Sequence, residues 1–222
     1  MQARFNKFSP ENIVLGSGTG IFFNWTHGED KMLDVGATQG DLSFTYTPSL
    51  EPIKARGVRG NVKGLQYVSE SETKMKAGYL EWIRKDLIQH FLLNAQITEY
   101  THDGSEEGKA KGKGVIIRGN EDLMNNCGKD AYIDDITVIG RSNDGNVYRI
   151  TMFNALPTSG FEAVFGETEV APEVEFTGHN DPNDPMTPPF EIEIFEPDGK
   201  CAPDFEKPNE ARVFIDSDKL ED

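Results

Sequence analysis

The sequence predicts a mostly β protein, a sandwich or barrel of two packed sheets carrying one flanking α-helix. Three observations predict it. About ten short segments alternate apolar and polar residues, a single stretch repeats its apolar residues at three- and four-residue steps, and turn-forming residues punctuate the intervals. A chain of 222 residues can bury one sizeable core.

Ile13-Val14-Leu15 and then Ile21 to Trp25 are expected as two short strands, split by the Gly-Ser-Gly-Thr-Gly segment 16–20. Leu42 to Thr47 alternates, with Leu42, Phe44 and Tyr46 on one face and hydroxyls on the other, so one face is expected to be buried and one wet. Val62 to Ser69 and Thr73 to Gly78 continue as strands, the second with Met75 and Ala77 on one side and Lys74 and Lys76 on the other. The period then changes. Leu80, Ile83, Leu87, Ile88, Phe91 and Leu92 mark an amphipathic helix of about three turns.

Gln96 to Thr101 and Val115 to Arg118 follow as strands around His102 to Gly114, a tract with four glycines and no large apolar residue, hence a flexible hairpin tip or insertion. Ala131 to Ile139 and Val147 to Ala155 form a hairpin, because the Asp144-Gly145 step between them is a turn signal. Val174 to Phe176 and Glu191 to Phe195 are short strands separated by a Pro- and Asp-rich connection. The domain expected is 1–197, with 1–10 as an N-terminal arm and 102–114 as the insertion. Residues 198–222 form an acidic arm or tail whose one apolar patch is Val213 to Ile215.

Charge is distributed unevenly. Residues 1–114 hold 14 basic and 14 acidic side chains, whereas 115–222 hold 8 and 24, so the second half carries the whole formal charge of −16. Such a surface repels phosphate and disfavours tight sequence-specific nucleic-acid binding; it serves solubility, or a surface that lets DNA pass without sticking. No segment reaches the roughly 18 apolar residues of a spanning helix, and Met1 to Pro10 lacks the apolar core of a signal peptide, so no membrane role and a cytoplasmic synthesis are expected. Cys127 and Cys201 are expected as free thiols.

Most chemical motifs fail on context. Gly16-x-Gly18-x-Gly20 runs into a strand instead of a helix N-terminus, which makes it a tight turn and not a phosphate loop. His27, His90, His102 and His179 lack metal-ligand spacing. Asp181-Pro182-Asn183-Asp184-Pro185 has the composition of a calcium loop without its Gly and Glu positions, and turn chemistry explains it. Asp134-Asp135, like Glu106-Glu107, are strand neighbours that point to opposite faces and cannot share one proton. No catalytic residues, cofactor or metal are expected, and the chain is not expected to be an enzyme.

One stretch opposes the charge trend. Lys54 to Lys63 carries four cations, Lys54, Arg56, Arg59 and Lys63, and no acid, and it follows Pro48 to Pro52, which a central strand would reject. It is expected to be a long basic loop between strands. Either it is a solvated surface loop, or it meets the acidic half of another copy in a head-to-tail contact that closes into rings or propagates into filaments.

The blocks Asn12 to Phe23, Val35 to Phe44 and Val58 to Leu65, followed by the Leu80-Glu81 step, together resemble the major tail (tail tube) proteins of tailed bacteriophages; Val174 to His179 resembles the strand near the end of that fold. The resemblance implies a structural virion protein whose hexameric rings self-assemble into the tail tube that conducts DNA during ejection. It implies contact between rings through the loop that holds Pro48, Lys54, Arg56, Arg59 and Lys63. The implied partners are further copies of the chain, the tape measure, initiator and terminator proteins, and DNA passing through the lumen. The implied location is the virion tail, reached from the host cytoplasm. Another tail component of terminator or baseplate type, or an acidic β-sandwich module for calcium or carbohydrate, are the rival classes.

Overall fold

The computed structural model describes residues 19–28, 30–54, 56–57, 60–105, 110–119, 131–142 and 146–195. It is mostly β, with a large antiparallel sheet, a small second sheet and one α-helix. By the density of its contacts the chain divides into two units, one of residues 1–36, 134–152 and 190–222, the other of 37–133 and 153–189. The expected strand Ile13 to Leu15, the thiols and the tail beyond 197 lie outside the described residues.

In the first unit β1 (Gly20–Phe23) pairs with β2 (Leu33–Asp34) and with β7 (Ile133–Arg141), matching Ile21 to Val138 and Phe23 to Ile136. Strand β7 neighbours β8 (Val147–Pro157), and the start of β8 pairs with β10 (Phe190–Phe195). Alternation puts Ile21, Phe23, Ile136, Val138 and Met152 in the core. The β1 alternation does not continue to Trp25 as a strand. Asn24 adopts a left-handed conformation (φ 58°) and turns the chain into a short 3-10 helix, Trp25–His27, which drops the Trp25 indole onto Ile139 and Val147. The expected β7–β8 hairpin is present, closed by Ser142 N–H donating to Asn146 O at 2.7 Å.

In the second unit β3 (Thr38–Pro52) and β4 (Gln66–Tyr79) form a long antiparallel hairpin, and β9 (Glu173–Gly178) adds to β4 from Thr73 to Gly78. The last residues of β8 pair with β9. Met75, Ala77 and Tyr79 are buried while Lys74 and Lys76 are half-exposed, as the alternation predicts. Leu42, Phe44 and Tyr46 share a face, yet are only half-buried. Gly78 is required by close approach, since a Cβ there would lie 2.4 Å from Gln39 O.

Helix α1 (Lys85–Phe91) is shorter than the three turns expected. Leu80 N–H still donates to Ala37 O at 3.0 Å, and the Glu81 carboxylate accepts from Ala37 N–H, so residues 80 and 81 finish the strand's pairing. Arg84 is extended (ψ 131°), which leaves Ile83 77% exposed instead of on the buried stripe. Leu87 and Phe91 do reach the core, where Phe91 contacts Tyr79 at 4.8 Å and Phe176 at 6.2 Å between ring centroids. Burying each contributes about 1.5–3 kcal/mol. Among the described residues β5 (Gln96–His102) and β6 (Gly112–Arg118) pair only with each other, so the glycine tract supplies the end of one strand at His102 and the start of the next at Gly112.

Candidate assembly interface

The β3–β4 hairpin outruns its neighbour. Strand β9 stops at the Thr73↔Gly178 pair, while the β3–β4 ladder continues through Ser49↔Glu70 and Leu50↔Val68 to Pro52↔Gln66. From Thr47 to Pro52 and from Gln66 to Glu72 every residue is exposed. The outer hairpin is therefore a two-stranded arm. A bulge at Ser69, opposite the Ser49–Leu50 step, adds one residue to β4 and increases the local twist.

The arm corrects one expectation. Pro48 does not sit in a loop but within β3, opposite Ser71, and Pro52 closes the ladder opposite Gln66. Prolines are tolerated because β3 is the edge strand, and each removes a donor from an edge that would otherwise invite unspecific pairing. The remaining connection is residues 53–65. Ile53 N–H donates to Leu65 O at 2.9 Å, and Gly57, Gly60 and Gly64 take the positive φ values (87°, 95° and 85°) that its turns need. Lys54, Arg56 and Lys63 are all exposed on it, beside Ile53 (52% exposed) and Val62 (40%), whereas Arg59 lies outside the described residues.

The cations at the two ends of the arm differ. At its base Lys74 lies 2.9 Å from Glu72 and 3.4 Å from Glu175, and Lys76 contacts Glu173. Hydrogen bonds that the ammonium groups donate to these carboxylates, above all Lys74 to Glu72 and Lys76 to Glu173, push both ammonium pKa values up. At the tip, no ion pair involves Lys54, Arg56 or Lys63 among the described residues. Charge is matched at the base and presented at the tip.

The other motifs are occupied structurally. Asp181 Oδ1 accepts from Asn183 N–H at 2.7 Å, and Asp184 N–H donates to Asp181 O at 2.9 Å, so the aspartates of that loop form turns. Among the described residues no group of three or more His, Cys, Asp or Glu could hold a metal ion. Asp134 and Asp135 do diverge, the first with a side chain 54% exposed and the second buried. His27 reaches both, Nε2 at 3.4 Å from Asp134 and Nδ1 at 3.6 Å from Asp135. His90, partly buried on α1, has its pKa lowered by desolvation, which Asp86 opposes.

Sequence reasoning missed a buried polar row in the first unit. Asp135 accepts from Thr26 N–H (3.0 Å), Thr26 Oγ1 (2.5 Å) and Thr137 Oγ1 (2.9 Å), and the Thr137 and Thr151 hydroxyls lie 3.2 Å apart. Farther along the same face of β8 the Arg149 guanidinium is buried against Glu193 and Glu191 of β10. The alternation of Asp135 with Thr137, and of Arg149 with Thr151, was visible as hydrophilic residues and gave no sign that they point inward.

No family model and no curated protein matches the chain. Among solved structures it is similar to a chain of an extracellular contractile injection system, the PVC sheath-tube complex in its extended state. The identity is 12% and the TM-score 0.35, over 82% of this chain and 93% of that one.

Proposed function

We propose that this chain is a structural subunit of a phage-type tail tube, in which hexameric rings stack and DNA passes through the lumen. The single observation that carries the reading is the β3–β4 arm, a ribbon exposed along both strands whose tip presents cations and apolar side chains together. An isolated hairpin in water is marginal, and exposed apolar residues on an edge are an aggregation hazard unless a partner covers them. Leu50, Ile53, Val62, Tyr67 and Val68 supply such a surface, each 40–59% exposed. The ordered sequence blocks that resemble tail tube proteins support the same reading, and the net charge of −16 suits a conduit that phosphate must traverse without binding.

The contact is between copies, because the tip is basic while the chain is acidic overall, and opposite patches on one chain associate head to tail. The test is size-exclusion chromatography with light scattering, followed by negative-stain microscopy of the same fractions. Rings or hollow tubes of uniform diameter are expected at high concentration. A strict monomer up to about 1 mM, where even a contact of about 4 kcal/mol is half-populated, overturns the reading.

A further inference from the structure

We infer that a groove beside the open edge of β4 is the receptor for the basic arm tip of a second copy of this chain. This assignment rests on the stacked-assembly reading above and names the surface that the tip meets. Where β9 ends at Gly178, residues Val68 to Glu72 of β4 have β3 on one side and a groove of about 540 Å³ on the other. Glu70, Ser71 and Val68 line it from the strand, and His179, Asn180 and Met186 from the segment after β9.

Three properties of the groove complement the tip. Glu70 is exposed and makes no ion pair among the described residues, while Glu72 is partly neutralised by Lys74, so Glu70 is the carboxylate left for an incoming Lys or Arg. Val68 (52% exposed) and Met186 (88%) provide apolar surface for Ile53 and Val62. The β4 edge here carries no proline, unlike β3 with Pro48 and Pro52, so its main chain can pair with an extended segment.

The occupant is not the chain's own tip. The ladder holds as far as Pro52↔Gln66, which places the base of the tip four residues, about 13 Å, beyond Glu70 and directed away from it. Donor and receptor therefore lie on one arm, displaced along its length. Such a contact is heterologous, and repeating it translates each copy along the arm and propagates an open stack.

The test uses two full-length chains with Cys127 and Cys201 replaced by Ser, one carrying Lys63→Cys and the other Ser71→Cys. Mixed under mild oxidation, they are expected to form a heterodisulfide at least tenfold faster than when the Ser71→Cys chain also carries Glu70→Lys. In parallel, Lys63→Glu is expected to abolish stacking, and Lys63→Glu with Glu70→Lys in one chain to restore it. Lys63, Glu70 and Ser71 are exposed, and unchanged melting temperatures verify folding. No heterodisulfide above the homodisulfide background, or normal stacking by the Glu70→Lys chain, overturns the groove while wild-type tubes leave the assembly reading standing. Failure of the wild-type chain to stack overturns the reading itself.

Discussion

Asp135 shows how one side chain sets the local structure of the first unit. Its carboxylate accepts from the backbone and hydroxyl of Thr26 and from Thr137, which ties the 3-10 turn to β7. Replacing it with Ala strands the buried Thr137 hydroxyl and the half-buried N–H and hydroxyl of Thr26. Asp135→Ala is expected to lower unfolding free energy by about 3 kcal/mol in denaturant titration, and Asp134→Ala by no more than about 0.5 kcal/mol, since that side chain is largely in water. The divergence of the two aspartates was legible, because strand neighbours face opposite ways. The buried one's partners were not, because Thr26 is 109 residues away in sequence and no local pattern encodes that pairing.

Among the elements, the strands were the most legible and the helix the least. Alternation around Met75 and Ala77 marked β4 directly, since a period of two has few other physical causes. For α1 the periodic residues Leu80 and Ile83 misled, because the backbone of Leu80 was already committed to Ala37, and tertiary pairing overrides local periodicity. Proline likewise misplaced the boundary at Pro48, since an edge strand needs fewer donors than a central one. As for the interface, sequence marked the cations and not the ladder that carries them outward. One prediction belongs to α1. Burial lowers the His90 pKa below 6.5, so the unfolded chain takes up a proton that the folded chain refuses. Stability is therefore expected to fall as pH drops from about 6.5 towards 5, and His90→Gln to flatten that part of the profile of melting temperature against pH.

For the whole molecule, the proposed association would be governed by two electrostatic effects of opposite sign. Copies bearing −16 repel one another over the Debye length, about 30 Å at 0.01 M salt and about 8 Å at 0.15 M, whereas the proposed contact of tip with groove would attract only at close range. Light scattering is therefore expected to show more assembly at about 0.15 M than at 0.01 M, and less again near 1 M, where contact charges are screened too. A monotonic rise with salt would mean that apolar surface alone drives association. The order of the strands along the chain also fixes a timetable. The β3–β4 arm pairs segments that are close in sequence, but Phe23 of β1 awaits Ile136 of β7. At about 5–20 residues per second of synthesis, the arm exists roughly 3–15 s before β1 finds its partner. A nascent copy thus displays its exposed ribbon while core residues such as Ile136, Met152 and Phe176 are unwritten, and if the ribbon is the contact proposed above, crowded polysomes are where premature contact between copies would begin.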